Sequence, residues 1–439
     1  MKRVLVLGAG LVAGPLVRYL LSVDEFRVTV ASRTVEKARA LIGGASNGLA
    51  LALDVKDEAA LESLIADHDL SISLLPYVFH PVVARFCVKH KKQMVTTSYV
   101  KPEMQALDQA ARGAGVILLN EIGVDPGIDH MSAMKVIHAI RESGGTLVSF
   151  TSNTGGLPAP EANDNPMGYK FSWAPRGVVL AGKNPAKYLT DGAIVDVPGP
   201  ELFAHHWPCE IKGFGTLEVY PNRDSLPYIE SYDIHTVRSM FRGTLRYPGW
   251  CETLKAIVDL GMLDETKRSD LDGLSFAAFM RRLLNTEEDA KTATAERLGM
   301  ALDAKPITDM EWLGLFSDET LPKGADTFLD VLAARMLSKM GYAPGERDML
   351  VMQHEFVVEH EDRIEKITST LVDYGIPNGE TSMSRLVGLP AAIAAKHILL
   401  GTIDLSGVHV PMIPEIYEPV LAELDGLGVS FTETIERIG

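Results

Sequence analysis

Cysteine is scarce in this 439-residue chain: three residues, Cys87, Cys209 and Cys251, an odd number without Cys-x-x-Cys spacing. That excludes a disulfide framework, and the thiols suit a reducing, cytoplasmic compartment. Basic residues are outnumbered, with 42 Lys and Arg against 58 Asp and Glu and a formal net charge of −16. Such a surface repels nucleic acid and anionic membranes, so neither is expected as a partner. Long apolar runs are missing too. The best, Leu386 to Ile403, is broken by Pro390, Lys396 and His397 and reads as a buried helix. No signal peptide is expected, because the opening residues already form a strand. His205, His206 and Cys209 have no matching ligand pair at usable spacing, so no metal is expected.

What is present begins at Val4. Val4-Leu5-Val6-Leu7 reads as a strand buried on both faces. Gly8 and Gly10 follow directly, Ala13 completes G-x-G-x-x-A, and Leu16, Val17, Leu20 and Leu21 recur at helical spacing. Gly8 permits a tight turn, Gly10 lets a pyrophosphate approach the backbone, and Ala13 lets the helix pack close. The helix N-terminus then offers free N–H groups to phosphate. The second strand ends in Ser32-Arg33-Thr34, where an NAD site would place an acid on the ribose hydroxyl. Two hydroxyls and a guanidinium, with Lys37 a turn later, favour a 2′-phosphate and hence NADP.

Strands and helices alternate through the first 125 residues, with strands expected near 49–53, 70–75, 93–97 and 116–121. That is a Rossmann-type doubly wound α/β domain, in which ligands collect at the carboxyl ends of strands. Ser98, Tyr99 and Asp125 fall at such ends. From about Val148 strand-like runs alternate with Pro- and Gly-rich stretches, read as loops, notably Gly155 to Pro160. Residues 251 to 350 have helical periodicity, and His354–Val358 with Ile364–Leu371 read as paired strands. The expected division is a dinucleotide domain of residues 1–125 with about 385–439, a second α/β domain of 126–250 with 351–384, and an inserted helical domain of 251–350.

Several stretches carry a family resemblance: Ser73-Leu74-Leu75-Pro76-Tyr77, Thr96 to Val100, Asn120 to His130, Gly155 to Glu161, Asn165 to Trp173, Tyr220 to Ser225 and Arg242 to Tyr247. With the glycine turn, they resemble the NADP-dependent, glutamate-forming saccharopine dehydrogenases, or saccharopine reductases. The resemblance implies three parts, with the second α/β domain binding substrate and forming a homodimer. It implies that Leu11, Val12, Ala13, Ser32, Arg33, Thr34, Asp54, Val55, Leu75, Thr97, Ser98, Val124, Asp125, Pro126 and Trp173 contact NADP, beside Gly8 and Gly10. It places Ser98, Tyr99, Asp125, Arg223, Thr244, Leu245, Arg246 and Tyr247 around saccharopine. The implied reaction is oxidation of a secondary amine to an imine, then hydrolysis to glutamate and 2-aminoadipate 6-semialdehyde. The family often reads Ser-Tyr-Cys where this chain has Ser152-Asn153-Thr154, so any role of that thiol does not carry over.

Asp125 and Tyr99 are the expected proton-handling groups, each with a plainer alternative as a turn residue or a packing ring. Arg223 and Arg246 are expected at a pocket rim, meeting substrate carboxylates that an acidic protein could not otherwise hold. Arg242 and Arg176 are expected to be structural or supporting, and His130 structural. Two other readings stay open: a carboxynorspermidine dehydrogenase-like imine reductase, and an NADP-binding protein without turnover.

Overall fold

The computed structural model describes residues 1–172 and 175–439, and the chain divides into two compact units. The first holds Met1–Gly144 and Gly379–Phe431. Its strands β1 (Lys2–Leu7), β2 (Phe26–Ser32), β3 (Gly48–Ala52), β4 (Leu70–Ser73), β5 (Gln93–Thr96) and β6 (Ile117–Leu119) are all parallel. They lie in the order β6-β5-β4-β1-β2-β3, and Gly407–His409 adds a further parallel strand beyond β6. Parallel strands need crossovers, and helices covering both faces force the strands to be apolar throughout. Val4 to Leu7 are accordingly fully buried. The order reverses between β1 and β4, so a crevice opens at their carboxyl ends.

Helix α1 (Ala13–Leu21) buries Ala13, Leu16, Val17 and Leu20, the spacing read from the sequence. The helix Ser382–Leu400 packs along it and tolerates no side chain at Gly388, where a Cβ would come within 2.8 Å of the Val12 carbonyl oxygen. By length and composition this helix could cross a membrane, but 61% of its most apolar window is buried inside the protein.

The second unit holds Gly145–Asn378 and Thr432–Gly439. Its large sheet orders the strands Trp207–Ile211, Gly215–Pro221, Ser239–Arg246, Thr146–Pro158, Asp348–Glu359, Ile364–Tyr374 and Thr432–Arg437. Neighbours are antiparallel except Ser239–Arg246 beside Thr146–Pro158. Helices Trp250–Asp259, Phe276–Leu284, Ala290–Leu298, Lys305–Leu313 and Phe328–Lys339 fill the 251–350 region. They share one apolar core with the sheet, from Leu157 and Val351 through Trp250, Phe279 and Leu332.

Three boundaries differ from the sequence reading. The helix Ile128–Glu142 lies in the first unit, which runs past residue 125 to Gly144. Residues 432–439 leave it, because Thr432–Arg437 hydrogen-bonds along the edge strand Ile364–Tyr374. Gly155 to Pro158 is strand, not loop. A Cβ on Gly155 would sit 2.5 Å from the Leu245 carbonyl oxygen, so that glycine marks a close backbone approach within the sheet.

Candidate functional site

The glycine turn forms as its residue types require. Gly8 has φ +111°, where L side chains are strained, and a Cβ there would meet the Leu74 carbonyl oxygen at 3.1 Å. Around Gly10 the space is open, with nothing within 4 Å of an added Cβ. Helix α1 opens without a side-chain cap; the Ala13 N–H donates to the Gly10 carbonyl at 3.2 Å and Pro15 has none, which leaves the Gly14 N–H for an anion.

A cleft of about 480 Å³ runs from this turn across the ends of β1, β2 and β3. Gly8, Gly10, Ser32, Arg33, Thr34, Asp54, Val55 and Leu75 line it, all expected from the sequence. Lys37 and Lys56 line it too, and no motif in the sequence marks Lys56. Among the described residues the side chains of Arg33, Lys37 and Lys56 have neither an ion-pair nor a hydrogen-bond partner. Three uncommitted cations around one cleft, in a chain of charge −16, form an anion cradle. Asp54 spends one oxygen on the backbone N–H of Lys56 at 3.0 Å, which shapes the floor beneath them. Leu11 is 77% exposed at the mouth, and Ala13 is buried under the turn. The cradle fits a dinucleotide with an extra phosphate: small residues for the pyrophosphate, hydroxyls and cations at the end of β2, and no acid there to repel a 2′-phosphate.

The ends of β4, β5 and β6 carry the second half of the site in this unit. Past β5, Ser98 to Val100 run beside the turn 121–127, and Glu121 ties the two together. Glu121 is 9% exposed with φ +57°; one carboxylate oxygen accepts the Val100 N–H at 2.9 Å, and the other pairs with His130 Nε2 at 2.9 Å. Its own N–H donates to the Ser98 carbonyl at 3.1 Å. His130, wholly buried, is therefore a brace within the turn, in line with the structural role expected of it. The turn closes through Gly123 N–H to the Pro126 carbonyl, 3.0 Å, and Gly127 N–H to Asp129 Oδ1, 2.6 Å. This bracing brings the hydroxyl of Tyr99 to 3.4 Å from Asp125 Oδ1. Val124 and Pro126 are buried around Asp125, and Thr97 packs against Gly123.

His80 is a residue sequence reasoning missed. Pro76 ends the extended run after β4, and the helix His80–His90 starts after a single turn, Tyr77–Phe79. That geometry swings His80 over the ends of β4 and β5, between Ser73 and Ser98. Its Nδ1 lies 2.9 Å from Ser73 Oγ and its Nε2 lies 2.9 Å from Ser98 Oγ. Burial pushes its imidazolium down to about 4, so the ring is neutral at physiological pH. The available signal was the pair Ser73 and Thr96, small buried polar residues at the carboxyl ends of two neighbouring strands.

In the second unit Arg223 is exposed in a left-handed turn, φ +56°, after the strand Gly215–Pro221. Arg246 differs from the rim residue expected. It is 5% exposed, with its guanidinium 4.8 Å from the ring centre of Tyr169, 5.7 Å from that of Trp250, and donating to the Leu245 carbonyl at 2.7 Å. The end of the strand Ser239–Arg246 is covered on both faces, and Arg246 is enclosed by aromatic rings to whose faces its flat guanidinium is attracted. Leu245 is fully buried, while Thr244 and Tyr247 are half-buried, Tyr247 donating to the Pro158 carbonyl at 3.1 Å. Thr154 pairs in register with Thr244. Arg242 is buried against Tyr228, and Arg176 forms surface ion pairs with Glu265 and Asp330. Trp173 lies outside the described residues.

Sheet order, glycine turn and phosphate-type cradle together define a Rossmann-type dinucleotide-binding protein with a cleft suited to NADP. Residues 4–119 match the saccharopine dehydrogenase NADP binding domain, and residues 123–429 match the saccharopine dehydrogenase C-terminal domain. The chain belongs to the saccharopine dehydrogenase family. It is 43% identical over 448 residues to saccharopine dehydrogenase (NADP+, L-glutamate-forming) of Schizosaccharomyces pombe, covering 99% of each chain. A further relative is the mitochondrial alpha-aminoadipic semialdehyde synthase of Bos taurus, 40% identical over 98% of this chain and 47% of the relative. The solved apo saccharopine dehydrogenase (L-Glu forming) of Saccharomyces cerevisiae superposes with a TM-score of 0.94 at 41% identity, covering 99% of this chain and 100% of that one.

Proposed function

We propose that this protein is an NADP-dependent oxidoreductase that interconverts saccharopine with L-glutamate and 2-aminoadipate 6-semialdehyde, in lysine metabolism. The observation that carries this reading is end-to-end similarity, above 40%, to enzymes of that activity. The uncommitted cations of the β2–β3 cleft agree with it. When bound, NADP accepts or returns the hydride at the carbon beside the substrate amine.

The chain's own residues bind, orient and manage protons. Gly8, Gly10 and the start of α1 hold the pyrophosphate, while Ser32, Arg33, Thr34, Lys37 and Lys56 hold the adenosine phosphate. Leu75, Thr97, Val124 and Pro126 shape the nicotinamide end. Ser98, Tyr99 and Asp125 meet the substrate, with Asp125 accepting the proton released as the imine is hydrated and Tyr99 polarising that water. Arg223 serves one substrate carboxylate. Thr244 and Tyr247 offer hydroxyls, and buried Arg246 stiffens the strand that carries them. Thr154 keeps a hydroxyl where relatives often have a thiol.

The working form proposed is a cytoplasmic homodimer built through the second unit. Its sheet exposes Ile194 and Trp207 beside a cleft of about 480 Å³ with a mixed lining, Tyr188 and Phe241 next to Glu355 and Lys366, a surface of the kind that two copies bury between them. Three free thiols accord with a reducing compartment.

Mixing the protein with saccharopine and NADP at alkaline pH should generate NADPH absorbance. A flat trace, alongside turnover of a polyamine-type substrate, would move the assignment to a carboxynorspermidine-type reductase.

A further inference from the structure

We propose that His80 is a positioning residue: held as the Nε2–H tautomer between Ser73 and Ser98, it fixes the Ser98 hydroxyl as a donor toward substrate. Ser98 then selects an acceptor there, a carboxylate oxygen. The inference rests on the reading that Ser98 meets saccharopine.

The tautomer follows from where each hydroxyl proton goes. Thr96 Oγ1 donates to the Ser73 carbonyl at 2.9 Å, which leaves only lone pairs on its other side. That side faces His80 Nε2 at 3.3 Å and the Ser98 N–H at 3.4 Å, so Nε2 carries the hydrogen. The same N–H reaches Ser98 Oγ at 2.9 Å, which is the shorter contact. Nδ1 is then an acceptor, and Ser73 Oγ, fully buried, donates its proton to it at 2.9 Å. With an N–H pointing at its lone pair, Ser98 turns its own hydrogen away from His80. Burial keeps the ring neutral, so the polarity of the chain Ser73–His80–Ser98 does not reverse across the working pH range.

Two replacements separate positioning from bulk. His80→Gln places an amide N–H where Nε2 stood and keeps the donor to Ser98. His80→Asn reaches only the Ser73 side. The KM for saccharopine should rise about tenfold in His80→Asn and stay within about threefold of wild type in His80→Gln, with kcat less affected in both. In a Ser98→Ala background, His80→Asn should add less than about twofold. Equal KM losses in the two variants, or the full loss persisting without the Ser98 hydroxyl, would overturn the proposal. ¹⁵N-histidine NMR of the wild-type chain tests the tautomer without turnover. A protonated Nε2 and bare Nδ1 support it, and the reverse refutes it. Wild type failing to oxidise saccharopine would instead count against the substrate assignment and leave the NMR result standing.

Discussion

The Tyr99 hydroxyl stands 3.4 Å from Oδ1 of Asp125, on the long side for an O–H to carboxylate bond. Such spacing is common before a ligand tightens a site. Asp125 supplies the charge and Tyr99 the dipole, so the two should fail differently. Asp125→Asn keeps shape and loses the base; kcat for saccharopine oxidation should drop about 100-fold, with the acid limb of the pH profile flattened. Tyr99→Phe should cost about tenfold and leave that limb in place. Wild-type kcat in Asp125→Asn would mean that the substrate amine and bound water carry the protons unaided.

Cofactor choice is testable at the other end of the sheet. Arg33 is exposed and uncommitted at the end of β2, with Lys37 and Lys56 lining the same cleft. Arg33→Ala should weaken NADPH by about 10- to 100-fold, measured by quenching of protein fluorescence, and leave NADH within about twofold. Lys56→Ala should have a smaller effect in the same direction. Because the cradle is open to solvent, wild-type affinity for NADPH should fall as salt rises. Equal losses for both nucleotides would remove the 2′-phosphate from this cleft.

The difference between what the sequence disclosed and what it hid is one of range. Gly8, Gly10 and Ala13 act within a few residues of one strand and one helix, so their job is written in a local pattern. The placing of Ser98, Tyr99 and Asp125 past strand ends was legible because the alternation of strands and helices marks where each strand stops. His80 was not: nothing local distinguishes it from any histidine opening a helix, and its role exists only where β4 and β5 lie side by side. Arg246 misled for the same reason. Its Tyr and Gly neighbours in sequence suggested a rim, while the distant Tyr169 and Tyr220, with the nearby Trp250, enclose it. Gly155 looked like a loop because the partner it makes room for, Leu245, is far along the chain.

Glu121 joins the two loops that carry Ser98, Tyr99 and Asp125, and its carboxylate is almost wholly buried. Removing it strips the Val100 N–H and His130 of an acceptor without freeing either to water. Glu121→Ala should cost about 2–4 kcal/mol in urea unfolding, while Glu121→Gln, which can still accept from Val100, should cost about half as much. Activity should fall in step, through KM for saccharopine, with NADPH binding little changed. A Glu121→Ala protein as stable as wild type would show that the turn 121–127 holds itself.

His80 also sets a direction for acid stability. Its pKa falls from 6.5 to about 4 on folding because burial disfavours the charged ring. Between those values the unfolded chain binds the extra proton and the native one does not, so stability is full above about 6.5 and is lost as pH drops toward 4. The drop corresponds to at most about 3 kcal/mol. His68, also depressed by burial, adds a slope of the same sign. Comparing wild type with His80→Gln cancels that common part. The variant's Tm should gain on wild type steadily from pH 7 to pH 4.5. A gap that stays constant across this window would mean that folded His80 takes up its proton as readily as the unfolded chain does, so that the neutral bridge between Ser73 and Ser98 fails below about pH 6.5.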